Sequence, residues 1–281
     1  MIEAIINNEW LQLTGLILTI ATGFWFFWEK IRAAAKTIRE WAKHFWQKTP
    51  HTNPFTDQGR ITDAFFGRQA LLRTIFAELK KGTNLSLISE TQMGKSSLLS
   101  KVRQLGAKEL PKKTFIELDM FIVHDEGDFF KALCGEMGIQ ETRGYELHRA
   151  LRGKQYVLCL DNIERMTSKL FSGDERTELR GLAEGKDAPL TLLIASHSPL
   201  NTLFPDDYSR LEASPLDNIC QRLDMPPFSP EEVRTFIKTR LQPTGIQLTE
   251  QALENIWHQS QGHPYRVQQV AAELYRQRTA N

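Results

Sequence analysis

Cysteine is scarce and poorly placed for cross-links. Cys134, Cys159 and Cys220 are odd in number, widely separated and without metal-ligand spacing. A disulfide framework and a cysteine-ligated zinc site are excluded, and the three read as reduced structural thiols of a cytosolic domain. An excess of charge of one sign is missing too: 35 Lys and Arg face 34 Asp and Glu, for a net charge of +1. No global field therefore calls for nucleic acid, which is not expected as a partner. Internal repeats and low-complexity tracts are absent, so neither a solenoid nor a biased tail is expected. The leading segment holds Glu3 and Glu9 but no Lys or Arg, and no A-x-A site follows. It does not read as a cleavable signal peptide.

What stands near the N-terminus instead is a long apolar run. Trp10 to Trp28 carries no charged residue over 19 positions. As a helix it would measure roughly 28 Å, close to the hydrocarbon thickness of a bilayer. Tryptophans at both ends suit the two membrane interfaces. Lys30, Arg32, Lys36, Arg39, Lys43 and Lys48 follow. The positive-inside rule then predicts a single-pass protein of the inner (cytoplasmic) membrane, N-terminus out and the bulk cytoplasmic. A buried hydrophobic helix of a soluble protein, or an amphipathic hairpin, is the alternative. Ile31, Ala34, Ala35, Ile38, Trp41, Ala42 and Phe45 recur at helical spacing opposite those cations. Residues 30–48 therefore read as a basic helix on an anionic surface, or as a packed linker helix. Gly15, Thr19 and Gly23 form a small-xxx-small series that would let two spans pack as a homo-oligomer.

A proline-punctuated break, Thr49-Pro50-His51-Thr52-Asn53-Pro54, separates this material from the rest. The predicted organisation is a membrane span in 1–29, a juxtamembrane helix and linker in 30–52, a core in 53–225 and a helical lid in 226–281. In the core, short apolar runs at 85–89, 114–119, 156–161 and 190–196 alternate with helical patterns. A fifth short strand is expected near 219–223. Alternation of this kind predicts an α/β domain with a parallel sheet covered on both faces. After Ser229 three helical patterns remain, at 230–241, 249–259 and 264–276.

The most specific signal is LSLISETQMGKSSLLSK, from Leu85 to Lys101. It is a strand, a loop and a helix start, the context in which GxxxxGK[ST] cradles a polyphosphate. Backbone N–H groups of Glu90, Thr91, Gln92, Met93, Gly94 and Ser97 would face the phosphates. Lys95 would bring its charge to the β- and γ-phosphates and Ser96 its hydroxyl to Mg2+. The first motif position is Ser89 instead of glycine, and a positive φ there would cost a serine some affinity.

A second apolar run, Tyr156 to Leu160, ends in Asp161, placed to hold Mg2+ partly through water. Asn162 follows, and its amide cannot accept a proton. General-base catalysis contributes about 10²–10⁴-fold, so hydrolysis should suffer more than binding. Glu164, three positions on, is expected to point elsewhere. Ser196 and His197, at the end of the 190–196 run, are candidates to contact the γ-phosphate or its attacking water. Gln261-Gly262-His263-Pro264 opens the last helix, and His263 and Pro264 are candidate lid contacts to a nucleotide.

With these residues in hand, the sequence from Asn53 to Arg276 resembles bacterial STAND-type ATPases, relatives of the origin-recognition AAA+ group. The resemblance rests on NPFTDQGRITDAFFGRQALLRTIF, GKSSLL, VLCLDNIE, LIASHSPL with LFPD, and GHPYRVQQVAAELY, in that order. It implies an AAA-like P-loop NTPase core of the ASCE class, a C-terminal helical or winged-helix lid, and ATP or ADP with Mg2+. It also implies that Phe66-Gly67-Arg68 lies near the adenine, that Asp161 is the Walker B acid, and that Gly262 and Pro264 form the lid's GxP motif. Four functions follow as expectations, in this order: a membrane-anchored nucleotide switch with weak or absent hydrolysis in signalling or defence, an active oligomeric AAA+ ATPase, a pseudo-ATPase scaffold, and last, against the neutral net charge, a DNA-bound role by analogy with origin-recognition relatives.

Overall fold

The computed structural model describes residues 53–55, 65–205 and 216–279, together with Arg32, Ala35 and Lys36. The chain divides into two compact units, Met1–Thr52 and Asn53–Asn281. Of the first, Arg32, Ala35 and Lys36 are helical and exposed. The predicted span at 10–28 and most of the basic helix at 30–48 lie outside the described residues. Among the described residues no helix is long and apolar enough to cross a membrane.

The second unit is built on a five-stranded sheet: β1 (Asn84–Ile88), β2 (Thr114–Asp119), β3 (Tyr156–Asp161), β4 (Leu190–Ser196) and β5 (Cys220–Asp224). All neighbours pair in parallel, in the order β2-β3-β4-β1-β5. The central strands β1, β3 and β4 are buried at every position, because helices cover both faces. The edge strands β2 and β5 are only partly buried. Period-2 geometry then sorts side chains between two cores. Val157 and Cys159 join Leu85, Leu87, Leu193 and Ala195 beneath α1 (Gln69–Lys81) and α2 (Lys95–Glu109). Leu158 and Leu160 join Ile116, Leu192 and Ile194 on the opposite face. That face is covered by α3 (Glu126–Glu136), α4 (Gly144–Ala150) and α5 (Asp174–Ala183), with the short α6 (Leu200–Leu203) beyond.

β1 begins one residue before its apolar run, at the buried Asn84. This side chain is satisfied in place: its Nδ2 donates to Ala183 O at 3.0 Å and its Oδ1 accepts from Leu192 N at 2.8 Å. The strand stops at Ile88, so Ser89 belongs to the following loop.

Register aligns the strands' carboxyl ends. Ile88 pairs with Ser196 and Asp224, and Asp119 with Asp161. The loops that leave these ends face one crevice, the usual ligand position of open α/β sheets.

Three helices follow, α7 (Pro230–Leu241), α8 (Glu250–Ser260) and α9 (Pro264–Thr279). Ser229 starts α7 with a reciprocal capping box to Glu232, and Thr249 caps α8 through Ala252 N. No strand occurs among the described residues of this segment, so the lid is helical and not winged. It has its own apolar cluster, including Val233, Phe236, Ile256, Val267 and Tyr275. Phe55 packs into that cluster, and Asn53 Nδ2 donates to Ala272 O at 3.0 Å. The beginning of the second unit is therefore fastened to the lid.

Candidate functional site

The loop from Ser89 to Gly94 crosses from β1 to the N-terminus of α2. Its left-handed positions are Gln92 (φ 60°) and Gly94 (φ 89°). Ser89 is not among the positive-φ residues, so the backbone cost expected there does not arise. Its carbonyl instead accepts from Lys95 Nζ at 2.7 Å, and Glu90 O accepts from the same ammonium at 2.8 Å. Lys95 is thus folded back onto its own loop. Burial lowers its pKa, while the charges of Glu164 and Asp161 oppose that shift. Two further groups hold the loop's rim. Arg68 Nη2 donates to Met93 O at 3.0 Å, and His263 Nε2 lies 3.1 Å from Thr91 O, where it serves as the donor.

At the end of β3, Asp161 is fully buried and accepts from Asn162 N at 3.0 Å. Asn162 is left-handed (φ 57°), a conformation asparagine tolerates better than most residues. Its Nδ2 donates to Asp119 Oδ1 at 2.9 Å, which ties the ends of β2 and β3 together. The turn at Asn162 leads into a short 3-10 helix, Ile163–Thr167. This carries Glu164 back over the sheet end, contrary to the expectation that it points away. Its Oε1 accepts from the backbone N–H of His197 and lies 2.5 Å from His197 Nδ1.

Because Asn162 and Asp119 are complementary as amide and acid, the pair predicts a non-additive result. Asn162→Glu sets two carboxylates against each other and is expected to cost about 1–2 kcal/mol. Adding Asp119→Asn removes the repulsion but should recover only part of the pair energy, because Asp119 Oδ1 also accepts from Phe121 N at 3.1 Å, and it leaves the backbone cost at position 162. A double-mutant cycle by urea unfolding measures this coupling. A coupling near zero would show that the bond has no energetic weight.

These groups surround a cavity of about 660 Å³, within the roughly 300–1,000 Å³ common for small-ligand sites. One side is the β1–α2 loop and helix start from Thr91 to Ser97 with Asp161, Asn162, Glu164 and His197. The other is largely aromatic: Phe65, Phe66, Phe228, Phe236 and Tyr265, with Arg68 and Pro264 beside them. Phe66 meets Phe228 edge-on at 6.1 Å, and the Arg68 guanidinium lies 5.1 Å above the Phe228 ring. Burial draws the Arg68 pKa down to about 10, and Glu232 acts against this. A polar end and an aromatic end suit a polyphosphate joined to a base.

Of the predicted site residues, Thr91 to Ser97, Arg68, Asp161, Asn162, His197 and Pro264 line the cavity. Gly67, Glu90, Ser196 and His263 do not. Gly67 backs the Phe228 ring, and Glu90 is exposed. Ser196 Oγ is buried without a hydrogen-bond partner, and its carbonyl accepts from Ser89 N at 3.3 Å. His263 acts from behind, through Thr91. Residues that sequence reasoning did not place in the site include Glu164, Phe121, the lid aromatics Phe228, Phe236 and Tyr265, and Arg240 and Gln268. Local hints are the Pro226-Pro227-Phe228-Ser229-Pro230 segment before the last three helices and, for Tyr265, the GHPYRVQQVAAELY stretch.

The donors present fit Mg2+. Ser96 and Asp161 offer hard oxygens on one cavity, and no cluster of three or more His, Cys, Asp or Glu occurs among the described residues. Magnesium ordinarily needs only one or two protein oxygens alongside substrate phosphates and water.

No protein-family model matches the chain. RuvB-like helicase 1 of Emericella nidulans is 26% identical over 102 residues. That match covers 36% of this chain and 21% of that protein, so the chain spans about a fifth of its length. Among solved structures, the Walker-type ATPase of Pyrococcus abyssi superposes with a TM-score of 0.54 at 16% identity, over 78% of this chain and 73% of that one. The ORC2 protein of Aeropyrum pernix, solved with ADPNP and ADP, gives 0.55 at 15% identity, over 79% and 66%. The ORC1 protein of the same organism, in complex with DNA, gives 0.54 at 17% identity, over 77% and 62%. At such identities the likeness is one of fold. It is the α/β P-loop fold with a parallel sheet that these structures share. The expectation that nucleic acid is no partner finds no support here, since one neighbour was solved bound to DNA.

Proposed function

We propose that this chain binds ATP or ADP with Mg2+ and works as a STAND-like nucleotide switch with slow hydrolysis. The observation that carries the reading is the two-ended cavity: phosphate loop, Lys95, Ser96 and Asp161 at one end, and lid aromatics at the other. When bound, Mg2+ would be held by Ser96 and Asp161, and would offset phosphate charge. Lys95 would leave Ser89 O and Glu90 O for the phosphates. The Arg68 guanidinium and the Phe66 and Phe228 rings would take the base side. Because His263 reaches Thr91 O and Phe228 lines the cavity, a nucleotide that moves either group changes the lid.

Attachment to the inner membrane through 10–28 and the basic helix 30–48, with self-association there, is part of this proposal. It draws on the charge-free run and the cations that follow it. A role in signalling or defence fits a switch so tethered.

The test is thermal unfolding of the full chain with and without Mg·ATP. A ligand at 100 times its Kd stabilises by about 2.7 kcal/mol. For a unit of this size that corresponds to a rise in Tm of roughly 5–10 °C. No shift at millimolar nucleotide would overturn the reading. Carbonate extraction tests the anchor, and release of the full chain as a soluble protein would refute it.

A further inference from the structure

We propose that Glu164, positioned by His197, is the carboxylate that takes the proton from the water attacking the γ-phosphate. The inference rests on the nucleotide reading above and supplies that site with its missing base. Asn162 cannot serve: an amide holds no proton-accepting charge, and this one is committed to Asp119. The carboxylates lining the cavity are Asp161 and Glu164. Asp161 is fully buried, takes the Asn162 N–H, and stands with Ser96 on the metal side. Glu164 remains.

Its placement follows from the strand order. β4 lies between β3 and β1. Glu164 leaves β3, but its anchor, His197, is the first residue past β4. The bond between them draws the carboxylate across the end of β4 towards the phosphate loop, close enough for its charge to act on Lys95. The His197 backbone N–H and Nδ1 both converge on one oxygen, Oε1, so the proposal assigns the proton-accepting role to Oε2. The side chain keeps 23% of its exposure, so water reaches it and a captured proton can leave.

In the reaction, the water oxygen attacks the γ-phosphorus in line with the bridge to the β-phosphate. The P–O bond to that bridge breaks and its electron pair departs with ADP. The water proton goes to Glu164 Oε2, and then to solvent. The products are ADP and inorganic phosphate. His197, itself half-exposed, fixes which oxygen is free and where it points. A base held by one loop residue is less firmly placed than one packed on all sides, consistent with slow turnover.

The experiment uses the full chain and three readouts: phosphate release, equilibrium ATP affinity, and chromatography of the nucleotide left on the protein after one turnover. Glu164→Gln keeps the acceptor oxygen for His197 but removes the base. Phosphate release should fall about 100-fold or more, affinity should stay within about threefold, and bound nucleotide should remain ATP. His197→Ala should lower kcat with KM unchanged, and His197→Asn, which keeps a side-chain N–H, should recover much of the loss. Glu164→Gln releasing phosphate within threefold of wild type would overturn the proposal. So would a wild type that binds Mg·ATP but releases no more phosphate than Glu164→Gln, an outcome that leaves the binding reading intact. A Glu164→Gln protein that loses ATP affinity together with turnover would also overturn it, since the residue would then act in binding.

Discussion

Lys95→Ala should abolish the stabilisation of the second unit by Mg·ATP while leaving the nucleotide-free protein almost as stable as wild type. The two halves of this expectation come from different contacts. Without nucleotide, Lys95 Nζ donates to Ser89 O and Glu90 O, bonds worth about 1.5–3 kcal/mol each when charged. Against them stands the burial that lowers the lysine's pKa. Truncation removes both the bonds and the buried charge, and Glu90 is exposed, so water can replace part of what its carbonyl loses. The net change in Tm should be within about 2 °C. With nucleotide, no other cation among the described residues occupies the turn of α2 that faces the phosphates. The roughly 2.7 kcal/mol of ligand stabilisation at 100 Kd should therefore disappear. Differential scanning fluorimetry on both proteins, with and without 1 mM Mg·ATP (a chosen, roughly saturating dose), measures both halves. An equal nucleotide shift in the two proteins would place the phosphates elsewhere.

That expectation is legible in the sequence because GKS at a strand-to-helix junction has few other uses. Apolar runs likewise give β2, β3 and β4 their bounds at 114–119, 156–161 and 190–196, as observed. For β3 and β4, buried at every position, burial leaves such runs no alternative face. The departures share a different cause, which is backbone direction. The motif's glycine suggests a left-handed residue at Ser89, yet the loop takes its reversals at Gln92 and Gly94. Counting three residues past a strand end points Glu164 away from the site. The left-handed Asn162 turns the chain, and His197, a partner from another strand, captures the carboxylate. Neither event leaves a local pattern. The aromatic wall is similar, since Phe66, Phe228 and Tyr265 come from three separate segments that meet only when the lid folds onto the core.

Where lid and core meet, the largest single-site loss of stability is expected from Gly262→Ala. Gly262 adopts φ +70°, and a Cβ there would stand 2.0 Å from Phe228 O and 3.0 Å from Phe228 C. Those are backbone atoms, so no rotamer change relieves the clash. The same two residues are joined by the Phe228 N to Gly262 O hydrogen bond of 2.8 Å, so separating them also breaks that bond. Gly82 supplies the control. It has φ +85° at the end of α1, and an added methyl there would meet nothing within 4 Å. Gly82→Ala should therefore cost only the left-handed penalty of about 1–2 kcal/mol. Gly262→Ala should add the displacement of a backbone segment and reach about 3 kcal/mol or more, a fall in Tm of roughly 6–12 °C. Since Phe228 also carries the Arg68 guanidinium on its ring and lines the cavity, ATP affinity should fall with stability in Gly262→Ala and stay unchanged in Gly82→Ala. Equal melting temperatures for the two variants would mean that the lid hinge yields freely at Phe228. The lid would then have too little purchase on the cavity to report what occupies it.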